Sequence, residues 1–407
     1  MTTTDLPRPL RALAHRDFRQ FFVGGLVSSV GTNMQIAALA WVVQRETGSA
    51  LRTTLIAFVG VVPLLILGPA GGVLADRFAR RRLLVVTNAV MMLLAVALWI
   101  AWERYHAGYT ALFVLSLLSG VVVALQTPAW QSLPAELVPP TDLSNAITLN
   151  STQFNVARAL GPMTAGIAIA RYGAGTAFGL NALSYVVVIG ALVRMSAAPA
   201  VAPMAAEGTF ERWRAGLRYV RSQRGLVVAI GVHSVFALVG APIVQLVPDL
   251  AQSSLHIDAA AYGLLLGALG IGAIGAAIVH GATDERGRAS SALRIGLALA
   301  TFGLAGLALA PSLPWAIAAM IVFGAAYLVI VATDHGAIQR LSDDAHRGRV
   351  TSVWLMTFGL CFPTGVVTMG WLADRVGVRW VLAGDAAIMA MVLVAVSVRR
   401  LLPAIDA

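Results

Sequence analysis

Long apolar runs separated by short, arginine-bearing breaks dominate this chain. Each run approaches the roughly 20 apolar residues that a helix needs to cross a bilayer core. The pattern predicts twelve spanning helices, over 20–43, 53–75, 83–102, 109–128, 146–169, 176–194, 226–248, 260–281, 290–310, 313–333, 350–371 and 378–398. The expected fold class is an all-α polytopic membrane protein. An even number of spans puts both termini on one side. Arginines gather in the N-terminal tail (Arg8, Arg11, Arg16, Arg19), the turn near 76–82, the 195–225 segment, the 282–289 and 334–349 loops, and the C-terminal tail (Arg399, Arg400). The positive-inside rule therefore predicts that both termini are cytoplasmic.

The longest break, 196–225, opens on an Ala/Pro/Val-rich stretch and then turns amphipathic. Phe210, Trp213, Leu217, Tyr219 and Val220 alternate with Arg212, Arg214, Arg218, Arg221 and Arg224. That spacing predicts a helix on the inner leaflet, its rings at the interface and its arginines among anionic headgroups. The chain thus divides into a six-helix bundle over 1–195, a cytoplasmic linker over 196–225, and a second six-helix bundle over 226–407. The halves repeat. Gly166, Arg171, Gly173 and Asn181 match Gly370, Arg375, Gly377 and Asp385 at a spacing of 204, and Asp76, Arg80 and Gln131 match Asp284, Arg288 and Gln339 at 208. A parallel repeat of six spans with a long linker is the pattern of rocker-type secondary transporters.

Composition narrows the class further. The 407 residues are 58% hydrophobic and only 12% charged, about half the charged fraction of a soluble domain. The net charge of +10 does not indicate nucleic acid, because the arginines lie between apolar runs rather than on one face. The single cysteine, Cys361, has no partner for an internal disulfide and reads as a packing residue. The start of the chain is polar and basic with no small-residue cleavage site, so no signal peptide is expected. No phosphate-binding glycine loop, Ser/His/Asp set or zinc spacing is present, so neither ATP drive nor an enzyme, metal or cofactor is expected.

The most informative motif is Gly71-Gly72-Val73-Leu74-Ala75-Asp76-Arg77-Phe78-Ala79-Arg80-Arg81-Arg82, between the second and third spans. It resembles the signature of the major facilitator superfamily, with a degenerate copy at Asp284-Glu285-Arg286-Gly287-Arg288. Four further segments resemble the branch of enterobactin and macrolide exporters: His15-Arg16-Asp17-Phe18-Arg19, Leu133-Pro134-Ala135-Glu136-Leu137-Val138-Pro139, Asn155 to Pro162, and Arg347-Gly348-Arg349-Val350. Gly161 to Gly166 resembles the antiporter signature without its upstream glycines. The resemblance implies a monomeric exporter in the bacterial inner membrane, driven by the proton gradient without a cofactor and carrying a small amphipathic molecule such as a siderophore or drug. The competing reading on the same fold is a lipid or lysophospholipid flippase. Thr32 stands where several relatives carry an acid, so the coupling residue is not carried over from the family.

Candidate residues follow. The resemblance implies a conformational latch at Asp76, facing the N-terminal end of the eleventh span near Arg349. Gly72, Arg77, Arg80 and Arg81 either serve that latch or fix topology. Arg158 is the sharpest residue, roughly 20 Å along the fifth span at 1.5 Å per residue. A charge so deep normally faces a cavity or a partner, so Arg158 either binds an anionic group of the cargo or pairs with a proton-titrated carboxylate, or else forms a fixed ion pair or caps kinked backbone near Pro162. Asn33, Gln35, Gln126 and Asn155 are candidates to line the cargo path, against plain interhelical hydrogen bonding. Asp385 and Asp334 are candidate proton-coupling acids, Asp385 also a cargo-binding candidate. His233 reads as packing, since no ligand residue stands near it in sequence.

Overall fold

The computed structural model describes residues 8–196, 209–283, 289–398 and 401–406. Among them there is no strand. The long helices are α1 (Arg16–Thr47), α2 (Ala50–Arg77), α3 (Arg80–Tyr105), α4 (Tyr109–Ser132), α5 (Leu143–Tyr172) and α6 (Ala174–Arg194). The linker helix α7 (Thr209–Ser222) follows. Next comes α8, an α-helix over Arg224–Val235 and Ile243–Asp249 with π-helical segments at Phe236–Gly240 and Leu250–Ser254. The chain ends with α9 (Ala259–Thr283), α10 (Ala289–Ala308), α11 (Leu313–Leu341), α12 (Asp344–Val376) and α13 (Val378–Val398). Eleven of the described helices are long and apolar enough to cross a membrane. The predicted fifth span, α5, is long enough at 30 residues, but Asn150, Gln153, Asn155 and Arg158 dilute its apolar character. With α5 the spans number twelve, and the protein is an all-α, multi-pass membrane protein.

The structure comprises two compact units. In the first, residues 1–47 and 56–204, α1 packs against α5 and α6, and α3 against α4 and α6. Phe18, Leu84, Leu133, Val188 and Leu192 are buried at its centre. Close helix contact here depends on glycine. A Cβ on Gly71 would lie 2.6 Å from the Ala124 carbonyl oxygen, whereas one on Gly72 would meet nothing within 4 Å. Within the signature, the close approach is therefore made by Gly71 and not by Gly72.

The second unit holds residues 48–55 and 205–407. Here α11 packs against α9 and α10, and α10 against α13. The first turn of α2 belongs to this unit. Asp374, near the end of α12, accepts hydrogen bonds from Ser49 Oγ and Ala50 N, each at 2.6 Å, and from Leu51 N at 3.3 Å. A helix start leaves several N–H groups without partners, and this carboxylate satisfies two of them. Gly370, one turn earlier on α12, lets the α2 turn sit close, because a Cβ there would strike Thr54 Oγ1.

The linker helix forms as expected but lies differently. Leu217, Tyr219 and Val220 pack into a cluster with Leu226, Ile230, Ile338, Val350 and Val353. The Tyr219 ring stacks on His346 at 4.2 Å, and its hydroxyl lies 3.1 Å from Asp343 Oδ2. The apolar side of α7 thus faces protein rather than lipid at these three residues, while Arg214, Arg218, Arg221 and Arg224 are exposed. The side chains of Phe210, Arg212 and Trp213 lie outside the described residues, as do Asp284 to Arg288 and Arg399–Arg400.

The sequence repeat has a backbone counterpart. Gly173 and Gly377 cap the C-termini of α5 and α12, both at φ +88°. Only glycine takes that conformation without strain.

Candidate functional site

In the first unit, the signature after α2 is pinned by two of its arginines. Arg80 Nη1 lies 2.6 Å from Glu136 Oε1, with side chains only 14% and 7% exposed. Arg81 Nη2 donates to the Val193 carbonyl at 2.7 Å. Asp76 and Arg77 are exposed. The flanking motif residues are occupied too. His15 Nε2 lies 2.8 Å from Asp142 Oδ2, Asp17 accepts from Ser196 N at 3.1 Å, and Phe18 is fully buried. Glu136, Asp142 and Asp17 therefore hold the ends of the helices together, a role that sequence spacing did not reveal.

Arg158 is half-buried on α5, with its guanidinium 5.9 Å from the centre of the exposed Phe154 ring. One turn further along, a Cβ on Gly161 would fall 2.5 Å from Asn33 Cβ, so α1 and α5 cross closely there, one turn from Arg158. Asn33 Nδ2 donates to Ser29 O within its own helix, and Asn155 Nδ2 does the same to Ser151 O, both at 2.9 Å. Gln35 Oε1 accepts from the fully buried Asn181 at 2.8 Å, and Asn181 also meets Ser184. Thr32 Oγ1 lies 3.1 Å from Tyr185 OH. Gln126 Oε1 is 3.5 Å from Asn88 Nδ2. Gln35 thus bonds across helices α1 and α6 and Gln126 across α3 and α4, while Asn33, Gln126 and Arg158 are half-buried and Asn155 is exposed.

In the second unit the acids are sunk. Asp334 on α11 is fully buried and Asp385 on α13 is 2% exposed. Asp385 Oδ2 has no hydrogen-bond partner, nor does either oxygen of Asp334. The basic group beside Asp334 is His233 of α8, its Nδ1 3.8 Å from Asp334 Oδ2. Trp354 of α12 stacks on the His233 ring at 4.6 Å, and Phe358 lies 5.8 Å away. His233 was expected to be a packing residue. The fold sets it beside an acid more than a hundred residues distant, which no local spacing could signal.

The family model for transmembrane secretion effectors, within the major facilitator superfamily, matches residues 8–407. The chain belongs to this family. Among curated relatives of the chain, macrolide efflux protein A of Streptococcus pyogenes is 22% identical over 403 residues, covering 93% of the chain and 94% of the relative. The multidrug efflux pump Tap of Mycobacterium tuberculosis is 25% identical over 374 residues, covering 87% and 86%. The staphyloferrin A transporter of Staphylococcus aureus is 26% identical over 169 residues, 41% of each chain. Among solved structures, a mutant of the peptide transporter POT superposes with a TM-score of 0.75 at 14% identity, over 94% of this chain and 95% of that chain. A bacterial homologue of the lysosomal transporter Spinster gives 0.70 at 12% identity, over 93% and 95%. These two likenesses establish the fold. The family is one of membrane transporters of the major facilitator superfamily, and the names of these relatives describe efflux or transport.

Proposed function

We propose that this protein is a proton-coupled antiporter of the bacterial inner membrane that exports a small amphipathic molecule by rocker-switch alternating access. In this reading both termini are cytoplasmic and a monomer suffices. The energy source is the proton gradient, with no cofactor. The observation that carries the reading is a set of acids, Asp334 and Asp385, buried within spans of an efflux protein. Ionisable groups inside spans are costly and persist where they serve ion or substrate movement. Arg158, half-buried one turn from the crossing of Gly161 with Asn33 in the first unit, is the cargo contact, and it favours cargo with an anionic or electron-rich group. Gln126 and Asn155 add polar groups from the same unit. Asp76 acts as the latch toward the N-terminal end of α12, supported by its exposure and by the resemblance of its motif. A carboxylate near a helix N-terminus gains about 0.3–1 kcal/mol, small enough to break in every cycle. The relatives favour efflux over lipid flipping.

The test uses everted vesicles energised to an acid interior, with catecholate siderophores, macrolides, lipophilic cations and lysophospholipids added in turn. Collapse of the pH gradient by one class, lost in Asp76→Asn protein that still reaches the membrane, supports the reading and names the cargo class. Transport of a compound with no effect on the gradient refutes proton coupling. Collapse by lysophospholipid alone restores the flippase reading.

A further inference from the structure

The pair His233–Asp334 has properties that packing does not explain. The two side chains are 1% and 0% exposed. Neither ring nitrogen and neither carboxylate oxygen has a hydrogen-bond partner, and the adjoining Thr333 Oγ1 and Trp354 Nε1 also lack one. Buried polar groups are nearly always hydrogen-bonded, so such a cluster calls for a reason. At 3.8 Å the pair stands just beyond hydrogen-bond reach.

Among the described residues, the ion-pair partner of Asp334 is His233; of the charged groups on the packed helices, Arg340 of α11 is exposed with its guanidinium near Gly336, Arg347 of α12 is half-buried, and Arg294 of α10 is exposed. From α12 come the uncharged rings Trp354 and Phe358. From α11 comes His335, whose ring lies 5.2 Å from that of Trp354. The linker helix α7 brings Tyr219, already held by Asp343 and His346, and directs its described arginines outward. The C-terminal turn Pro403–Asp406 also packs on α8, but Asp406 accepts from Ser290 N at 2.9 Å.

A lone charge in such a place is strongly disfavoured, whereas a neutral unit is tolerated. Asp334 and His233 together are neutral when they hold one proton between them, either as carboxylic acid beside neutral imidazole or as carboxylate beside imidazolium. Without that proton the unit carries one negative charge, and with a second it carries one positive charge. We infer that His233 and Asp334 form a one-proton site inside the second unit, walled by Trp354, and that loading and unloading this site couples proton movement to transport. The inference rests on the proton-coupled reading above. The transfer is self-contained. As the side chains close by about 1 Å to hydrogen-bond distance, the O–H bond of Asp334 breaks and an N–H bond forms at His233 Nδ1. Loss of the proton to water leaves the unpaired carboxylate, which the site tolerates only once water reaches it, so release is tied to a change of conformation. The position of His233 three residues before the π-helical Phe236–Gly240 segment fits such a role, since π turns recur at functional sites.

The stacked Trp354 supplies a reporter, because an imidazolium quenches an indole that a neutral imidazole does not. Fluorescence of the full-length protein in liposomes is titrated with acid, and the signal of Trp354→Phe is subtracted to isolate this indole. The expected result is a single pH transition that disappears in His233→Gln and shifts in Asp334→Asn, with infrared spectroscopy showing loss of a buried carboxylic acid band in the latter. In everted vesicles, using whichever compound of the panel collapses the wild-type gradient, Asp334→Asn should lose proton-linked flux yet retain cargo exchange at equal pH, and Asp334→Glu should restore part of the drive. A Trp354 signal that ignores pH, or proton-linked flux unaltered in both His233→Gln and Asp334→Asn, overturns the one-proton site while proton-coupled export stands. Wild-type protein that moves cargo without protons overturns both.

Discussion

Asp374 should be worth far more than its exposed position suggests. Its carboxylate takes Ser49 Oγ and Ala50 N at 2.6 Å and Leu51 N at 3.3 Å, at the start of α2. Replacing a helix-capping acid with alanine costs about 0.5–2 kcal/mol, and loss of an anion at a helix N-terminus adds about 0.3–1 kcal/mol. Exposure of the carboxylate argues for the lower part of that sum because solvent and salt screen it. A net effect of about 1–2 kcal/mol corresponds to roughly a 5- to 30-fold change in an opening equilibrium. Hydrogen exchange read by mass spectrometry on the purified transporter should therefore show the Ala50 and Leu51 amides exchanging faster by that factor in Asp374→Ala. Asp374→Asn keeps an acceptor oxygen and should change exchange less. Gly370→Ala, which pushes a methyl into Thr54, should loosen the same turn from the other side. Equal exchange at residues 50 and 51 in wild type and Asp374→Ala would show that the turn holds without the carboxylate.

Three further perturbations separate structural from transport roles. Glu136→Ala strands Arg80 in a largely buried site and should destabilise the first unit by up to about 3 kcal/mol, read as earlier thermal unfolding in detergent. In the signature itself, Gly71→Ala should lower stability by about 1–3 kcal/mol by overpacking against Ala124 and Leu125. Gly72→Ala, which meets open space, should be neutral or gain up to about 1 kcal/mol from helix propensity, and the same melting assay ranks the two. Arg158→Ala should weaken binding of an anionic cargo, with Arg158→Lys intermediate because the ammonium lacks the planar fork. Unchanged cargo affinity and turnover in Arg158→Ala would assign it to structure.

The spans were legible because a bilayer imposes one requirement, enough apolar length, on every helix. That requirement also explains why the helices overrun the predicted spans, as α12 does from Asp344 to Val376. Hydrogen bonding, not apolarity, ends a helix. Glycine positions needing left-handed backbone were visible as a repeat at 173 and 377. Partnerships were not visible. Arg80 finds Glu136, His15 finds Asp142, and His233 finds Asp334 only after folding, and nothing in their own sequence neighbourhoods signalled these partners. The amphipathic linker misled for the same reason. An apolar stripe predicts that something covers it, and at Leu217 and Val220 the cover is α8, α11 and α12 rather than lipid.

The matched stops at Gly173 and Gly377 bear on how the two halves differ. The same backbone turn stands in both halves, φ +88° in each, and no other residue could take it cheaply. Eight residues later the copies part company. One carries Asn181, neutral and hydrogen-bonded to Gln35, and the other carries Asp385, buried with an unbonded oxygen. Shared stereochemistry makes the halves alike at this turn, while the side chains eight residues on make them unlike electrically. At this paired position only the C-terminal copy can change its charge, so the repeat shares a shape and splits a chemistry.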